Sequence, residues 1–385
     1  MRLLLLTTTS DIGGMPRVTT GLARQFAGRG AQVQYVFPHQ PGERERAWYE
    51  EQGIDVGASA VAPHLWLRRN PSDLLAMWRF VRRSGASVVN IHYGDDSISL
   101  KDLVLLRLAG RHRCVVSVHH PTAADGLTAH RRRMTGVASL LADDVVVVSA
   151  ASRASLLASG VPARKITIIL NGVLPPATLP TREAARARLG LPVDAFVVGA
   201  LARLVPHKGI ANLLGAAALV PDPEGALHVL IAGDGPERDA LATLGTTSLG
   251  TRAHLLGHLA DTADFYAALD VFALPSYMEG FGLVYVEAAF HGVPSIGTTA
   301  GGTPEAILQD ETGLLVPPGD ISALAGAIRR LRDDPTLRRR LGDAAQARAA
   351  HELTEDAMAD RYARLYAPNG DPARGVRDGS TRAGP

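Results

Sequence analysis

Cysteine is almost missing from this chain. Cys114 is the only one among 385 residues, so neither an internal disulfide nor a cysteine metal site can form. Long apolar runs are missing too. The opening Met1-Arg2-Leu3-Leu4-Leu5-Leu6 gives way to Thr7-Thr8-Thr9 after four leucines, too short for the apolar part of a secretion signal. No stretch approaches the roughly 18 to 20 apolar residues that span a bilayer. A cytoplasmic protein is expected, or one peripheral at the inner face of a membrane. The dinucleotide fingerprint Gly-x-Gly-x-x-Gly is absent after the first strand. It also fails at Gly233-Asp234-Gly235, which runs into Pro236-Glu237-Arg238, and this argues against a nicotinamide or flavin enzyme. No Gly-x-Ser-x-Gly elbow occurs, which removes Ser-His-Asp hydrolysis of that type. Lysine is scarce: Lys101, Lys165 and Lys208 are the only ones among 40 basic residues.

What is present is a chain long enough for two domains of comparable size. Its formal net charge of +2 hides an asymmetry. Residues 1–175 carry 21 Lys and Arg against 13 Asp and Glu, leaving 19 against 25 for the remainder. A basic first half suits an anionic acceptor or a membrane surface, although an arginine-rich chain also scatters arginine over its helices. Trp66-Leu67-Arg68-Arg69 and Met77-Trp78-Arg79-Phe80-Val81-Arg82-Arg83 mix aromatic residues with arginine, which suits lipid head groups or ordinary helix packing. Nothing calls for a nucleic-acid partner.

Short apolar runs alternate with longer helical patterns: 3–6, 33–37, 88–91, 115–118, 145–148 and 166–170. Continuous apolar strands of this kind are buried on both faces of a parallel sheet. A first crossover helix is expected over 19–28, stopped by Gly28-Arg29-Gly30. The pattern breaks at Pro175-Pro176 and Leu179-Pro180 and restarts at 196–199, 229–232, 253–256, 271–274 and 294–297. Helices are expected over 322–332, 337–350 and 355–366. The fold class is therefore α/β, with two doubly wound, Rossmann-like domains facing a central cleft and ligands at the carboxyl ends of the strands. The expected domains are 1–172 and 183–350, joined by a linker over 173–182, with 368–385 a disordered tail.

The run Pro275-Ser276-Tyr277-Met278-Glu279-Gly280-Phe281-Gly282-Leu283, continuing to Glu287, places two carboxylates around a glycine-rich turn that opens a helix. Backbone N–H groups at such a turn, added to the positive end of a helix, make an anion site suited to a diphosphate. Glu279 at the turn suits sugar hydroxyls, and Glu287, placed two turns into the helix, suits both hydroxyls of a ribose. Arg203 and Lys208 bracket Pro206-His207 after a strand. Gly13 and Gly14 follow the first strand, where backbone can approach a phosphate or an acceptor closely. His119 and His120 close the strand 115–118.

The Glu279–Glu287 element, with Gly292-Val293-Pro294 and Gly301-Gly302-Thr303-Pro304-Glu305, closely resembles the retaining glycosyltransferases of family 4 (GT4), which have the GT-B fold. The likeness extends to the segment 199–209, to 230–236, to Asn171-Gly172-Val173 as a hinge, and to Gly13-Gly14, covering roughly residues 1–367. The resemblance implies a hexosyl-type transfer with retention from a nucleoside diphosphate sugar, most naturally of UDP, to an acceptor hydroxyl. It implies catalytic roles for His119, Glu279, Arg203 and Lys208. It implies donor contacts from Gly13, Gly14, Gly257, His258, Leu259, Gly280, Phe281, Gly282, Leu283 and Glu287, and a last helix, about 355–367, crossing back to complete the first domain. Acceptor-side candidates are His120, Arg131, Arg132 and Arg133. No Asp-x-Asp is present, the pair with which metal-dependent single-domain relatives hold a divalent ion, so no metal or other cofactor is expected. A sugar phosphorylase, a nucleotide-sugar epimerase and a non-catalytic nucleotide-sugar sensor stand as alternatives, because one fold hosts several reactions. The acceptor is left open between a small molecule, a glycan and a lipid-linked sugar.

Overall fold

The structure, a computed structural model, describes residues 1–57, 59–61, 71–121 and 128–367. Trp66, Leu67, Arg68 and Arg69, and the segment 368–385, lie outside the described residues. The chain divides into two units, Met1–Val173 with Thr354 onward, and Leu174–Leu353.

The first unit contains β1 (Arg2–Thr7), α1 (Gly14–Gly28), β2 (Gln32–Phe37), α2 (Glu43–Glu51), β3 (Ala60–Val61), α3 (Pro71–Ser84), β4 (Val88–Tyr93), α4 (Leu100–Ala109), β5 (Arg113–Val118), α5 (Ala129–Ser139), β6 (Asp144–Val147), α6 (Ala150–Ala158) and β7 (Ile166–Ile168). The strands form one parallel sheet in the order β3-β2-β1-β4-β5-β6-β7. Leu3 to Leu6 and Val145 to Val147 are buried along their whole runs, as strands covered on both faces must be. The first crossover helix starts at Gly14, five residues before the expected Thr19. The apolar stripe of Met15, Val18, Leu22 and Phe26 extends further back than the periodicity read from Thr19 onward. Of the α3 residues, Met77 and Val81 are buried, while the Arg82 guanidinium lies over the Trp78 ring at 5.2 Å.

The second unit contains α7 (Arg182–Leu189), β8 (Phe196–Leu201), α8 (Ile210–Leu219), β9 (Leu227–Ala232), α9 (Arg238–Leu249), β10 (Ala253–Gly257), α10 (Ala263–Ala268), β11 (Val271–Ala273), α11 (Leu283–Phe290), β12 (Ser295–Thr298), α12 (Thr303–Ala306), β13 (Gly313–Val316), α13 (Ile321–Asp333) and α14 (Pro335–Glu352). Its sheet is parallel in the order β10-β9-β8-β11-β12-β13. The buried carboxylate of Asp270 ties this unit together. It accepts from Arg186 at 2.7 Å, Arg182 at 2.8 Å and the Val197 amide at 2.9 Å. A buried charge is tolerated only when it is paired and hydrogen-bonded in this way.

The chain then returns. Thr354 caps α15 (Glu355–Tyr366), whose Tyr362 and Tyr366 are buried in the first unit. Tyr366 Oη accepts from Asn90 Nδ2 at 2.7 Å, and Tyr362 Oη lies 3.1 Å from Ser117 Oγ. The two crossings of the chain run side by side: Val173 bridges Thr354, and the Glu355 amide donates to Val173 O at 3.1 Å.

Asp102 in α4 is buried and accepts from Tyr93 Oη at 2.9 Å. Burial pushes its carboxyl up to about 6 from an ordinary value of 3.8. A raised acid pKa favours the folded state fully below the unfolded value, and that advantage is lost as pH rises through the folded one. Stability should therefore fall between about pH 4 and pH 6, by up to about 3 kcal/mol for a shift of this size. Asp102→Asn, which cannot ionise, should lack that fall, a difference readable from thermal unfolding at pH 4 and pH 7.

Candidate functional site

In each sheet the strand order reverses once, between β1 and β4 and between β8 and β11. Loops leaving strands on either side of such a reversal diverge, and ligands of open α/β sheets bind there. In the second unit these loops are 202–209 after β8 and 274–282 after β11. Lys208 and Glu279 meet between them: Lys208 Nζ donates to Glu279 Oε1 at 2.6 Å, and Ser276 Oγ donates to the same oxygen at 2.9 Å. Both side chains are mostly buried, at 18% and 9% exposure. Arg203, on the same loop as Lys208, is exposed and has no side-chain partner among the described residues.

The turn carrying Glu279 is held from both sides by backbone. Gly209 and Gly301 adopt φ of +69° and +61°, a region that favours glycine. A Cβ on Gly209 would overlap the Pro275 carbonyl oxygen, and one on Gly301 the Glu279 carbonyl oxygen. The Tyr277 amide donates to His207 O at 2.8 Å and the Gly302 amide to Glu279 O at 2.9 Å. These contacts fix the backbone of the turn, and Lys208 and Ser276 hold the carboxylate it carries.

Gly282 then opens α11 with no side-chain cap. The Tyr285 amide already donates to Gly282 O at 3.1 Å, while the Leu283 and Val284 amides are left for another acceptor at the positive end of the helix. Gly280 and Phe281 are buried and Leu283 nearly so. Tyr285 Oη donates to Leu274 O at 2.7 Å, anchoring the helix on the end of β11. Glu287 lies one turn into α11, not two, because the helix begins only at Leu283. It is half-buried and accepts from Tyr266 Oη at 2.7 Å. At the end of β10, Gly257 O accepts from the Gly233 amide at 2.7 Å; His258 is exposed and Leu259 half-buried.

In the first unit, Gly13 and Gly14 are exposed at the start of α1, which also lacks a side-chain cap. His119 follows β5 and is buried. Its Nε2 lies 2.9 Å from Nδ1 of His92, the penultimate residue of β4. Burial lowers His119 to about 3 and His92 well below its ordinary value, the second ring adding to the effect on His92, so both are neutral at neutral pH. His120 is half-buried and its Nδ1 lies 2.7 Å from Pro121 O. Arg131, Arg132 and Arg133 lie in the first turns of α5, with Arg131 and Arg133 exposed. Sequence reasoning missed Ser276, Tyr266 and His92. For His92 a signal existed: a histidine near the carboxyl end of an apolar strand, as at His119. Among the described residues, no group of three or more His, Cys, Asp or Glu is placed to hold a metal, and no helix is long and apolar enough to cross a membrane.

The profile of Glycosyltransferase Family 4 matches residues 12–175, and that of Glycosyl transferases group 1 matches 181–348. A D-inositol 3-phosphate glycosyltransferase of Corynebacterium diphtheriae is 30% identical over 93% of this chain and 90% of its own length. The chain belongs to glycosyltransferase family 4. A GDP-mannose-dependent phosphatidylinositol monomannoside mannosyltransferase of Corynebacterium glutamicum is 33% identical over about half of each chain, 54% of this one and 55% of its own. Among solved structures, the Anabaena protein HepE in complex with UDP superposes with a TM-score of 0.83 at 22% identity, covering 95% of this chain and 99% of its own. That likeness places the transferase in the GT-B fold.

Gly301→Ala should cost the transferase about 1–3 kcal/mol, because the new methyl meets backbone in a left-handed conformation. Gly13→Ala, at an extended φ of −172° with nothing within 4 Å of the added carbon, should change stability by less than about 1 kcal/mol. Urea unfolding of the two variants measures the contrast.

Proposed function

We propose that this transferase moves a hexosyl group, with retention and without a metal, from a nucleoside diphosphate sugar to an acceptor hydroxyl. The observation that carries the reading is the meeting of Lys208 and Glu279 at the strand reversal of the second unit, beside the uncapped start of α11 and the exposed Arg203. A diphosphate set on the N–H groups of that turn is met by Lys208 and Arg203. When the glycosidic bond breaks, charge accumulates on the leaving phosphate. Cations fixed in advance then stabilise the transition state more than the ground state. The contact with Glu279 keeps the Lys208 ammonium in place, so little reorganisation accompanies the reaction. Glu279 also presents carboxylate oxygen to the sugar.

Glu287, oriented by Tyr266, accepts from the ribose hydroxyls, and backbone at Gly257, His258 and Leu259 holds the base. Gly13 and Gly14 leave backbone open to the donor phosphates, and His119 is read as a hydrogen-bonding group for a hydroxyl of the transferred sugar. The leaving phosphate itself takes the acceptor proton on the face it departs from, which gives retention and needs no separate base. UDP is favoured as the nucleotide because HepE is solved with UDP and with UDP-glucose; the GDP-mannose in the name of the mannosyltransferase relative makes GDP the second choice. An anionic acceptor suits the basic first half of the chain and the inositol phosphate in the name of the C. diphtheriae relative, with His120, Arg131, Arg132 and Arg133 on its side.

Thermal unfolding of the full chain with UDP, GDP, ADP and TDP sugars, in the presence of a chelator, tests the donor. A ligand at 100 times its dissociation constant stabilises by about 2.7 kcal/mol, and Glu287→Ala should lose most of that gain. Lys208→Ala should lower kcat about 100-fold to 1000-fold, as removal of one preorganised charge-stabilising group does. Stabilisation by inorganic phosphate or a sugar phosphate, and by no nucleotide sugar, would instead favour a phosphorylase. Interconversion of the donor with its epimer, with no acceptor present, would favour an epimerase.

A further inference from the structure

His92 and His119 share one hydrogen bond and leave two ring nitrogens over. The bond joins His92 Nδ1 to His119 Nε2 at 2.9 Å, with the rings stacked at 5.2 Å between centroids and 27° between planes. The remaining nitrogens, Nε2 of His92 and Nδ1 of His119, are buried and have no hydrogen-bond partner among the described residues. Register fixes the pair: His92 lies opposite Thr7 of β1 and Ser117 of β5, and the His119 amide donates to Tyr93 O at 3.1 Å. The backbone of both residues is therefore held by neighbouring strands of the sheet interior.

Two neutral rings joined by one bond have two possible proton arrangements, and each leaves one N–H and one lone pair unpaired. If His119 donated, the unpaired N–H would be Nε2–H of His92, a ring with 0% exposure. If His92 donates, the unpaired N–H is Nδ1–H of His119, a nitrogen also buried but on a residue that is 8% exposed and follows the end of β5. A buried orphan donor is rarer and costlier than an under-used acceptor, so the proton belongs where a ligand can still satisfy it. We infer that His92 is a positioning residue that donates from Nδ1 to His119 Nε2 and so holds His119 as its Nδ1–H tautomer. His119 then meets its ligand as a hydrogen-bond donor, selecting an oxygen with a free lone pair such as a sugar hydroxyl. The tautomer of a histidine is set by the bond its other nitrogen makes, and here that bond comes from a second histidine. The functional half of this inference rests on His119 contacting the transferred sugar; the tautomer half does not.

Long-range 1H–15N correlation spectra of the full chain, labelled in histidine, read the tautomer directly, with His119→Ala identifying the His119 signals. The expected wild-type pattern is Nδ1–H at His119. His92→Leu, which offers no donor, should abolish that single pattern and lower kcat about tenfold, the rate equivalent of one lost hydrogen bond, with donor KM little changed. His92→Asn places an amide donor where Nδ1 stood and should restore most of both, which also controls for misfolding of the leucine variant. An Nε2–H pattern in the wild type, or a His119 pattern unchanged by His92→Leu, would overturn the tautomer assignment. Full turnover in His119→Ala would overturn the sugar-contact reading and leave the tautomer assignment standing.

Discussion

The second unit depends on backbone meeting backbone at the carboxyl end of its sheet. Gly209 lies against the carbonyl of Pro275 and Gly301 against that of Glu279, each at a spacing that a side chain would prevent. With the turn clamped there, Lys208 and Ser276 meet the Glu279 carboxylate, and α11 starts with the Leu283 and Val284 amides still open. A charge-stabilising site gains from such rigidity, since groups already in place need not move when charge develops.

The two units share a strand order and place different residue types at its reversal. At the reversal of the second sheet stand a lysine, an arginine and a helix start, all of which favour negative charge. The first sheet carries at the same kind of position an open glycine turn and two neutral histidines, whose burial removes charge from them. The first set suits a phosphate; in the second, the neutral histidines suit uncharged hydroxyls, while the open glycine turn leaves backbone free to approach a phosphate. The return of α15 to the first unit, held by Tyr362, Tyr366 and the Arg24–Glu355 ion pair, makes that unit's core depend on a helix that follows the second unit in the chain.

Strands that are apolar along their whole length were legible in the sequence, because burial on both faces leaves no other pattern: Leu3 to Leu6 and Val145 to Val147 are the clearest. The short β3 and β13 were not, since Ala60–Val61 is only two residues long and Gly313 opens the other with no side chain. The start of α1 was missed by five residues because Gly13-Gly14 reads as a turn, whereas here those glycines begin the helix. In the site, the residue types and spacings that carry charge were visible: Arg203, Lys208, Glu279 and Glu287. Their partners were less so: Tyr266 reaches Glu287 through packing that no local pattern encodes, His92 carried only its place near the carboxyl end of an apolar strand, and Ser276 stands three residues before Glu279 with no pattern that pairs them. The position of Glu287 within α11 was misjudged for the same reason, as Gly282 delays the helix.

The central claim is retaining cleavage of a nucleoside diphosphate sugar by charges fixed in the second unit. Proton NMR of UDP-glucose incubated with the full chain and a chelator, with water as the only acceptor, tests it without knowledge of the natural acceptor. The account predicts release of UDP together with sugar that appears first as the α anomer, and loss of both signals in Lys208→Ala. Sugar appearing first as the β anomer, or release undiminished in Lys208→Ala, would contradict it.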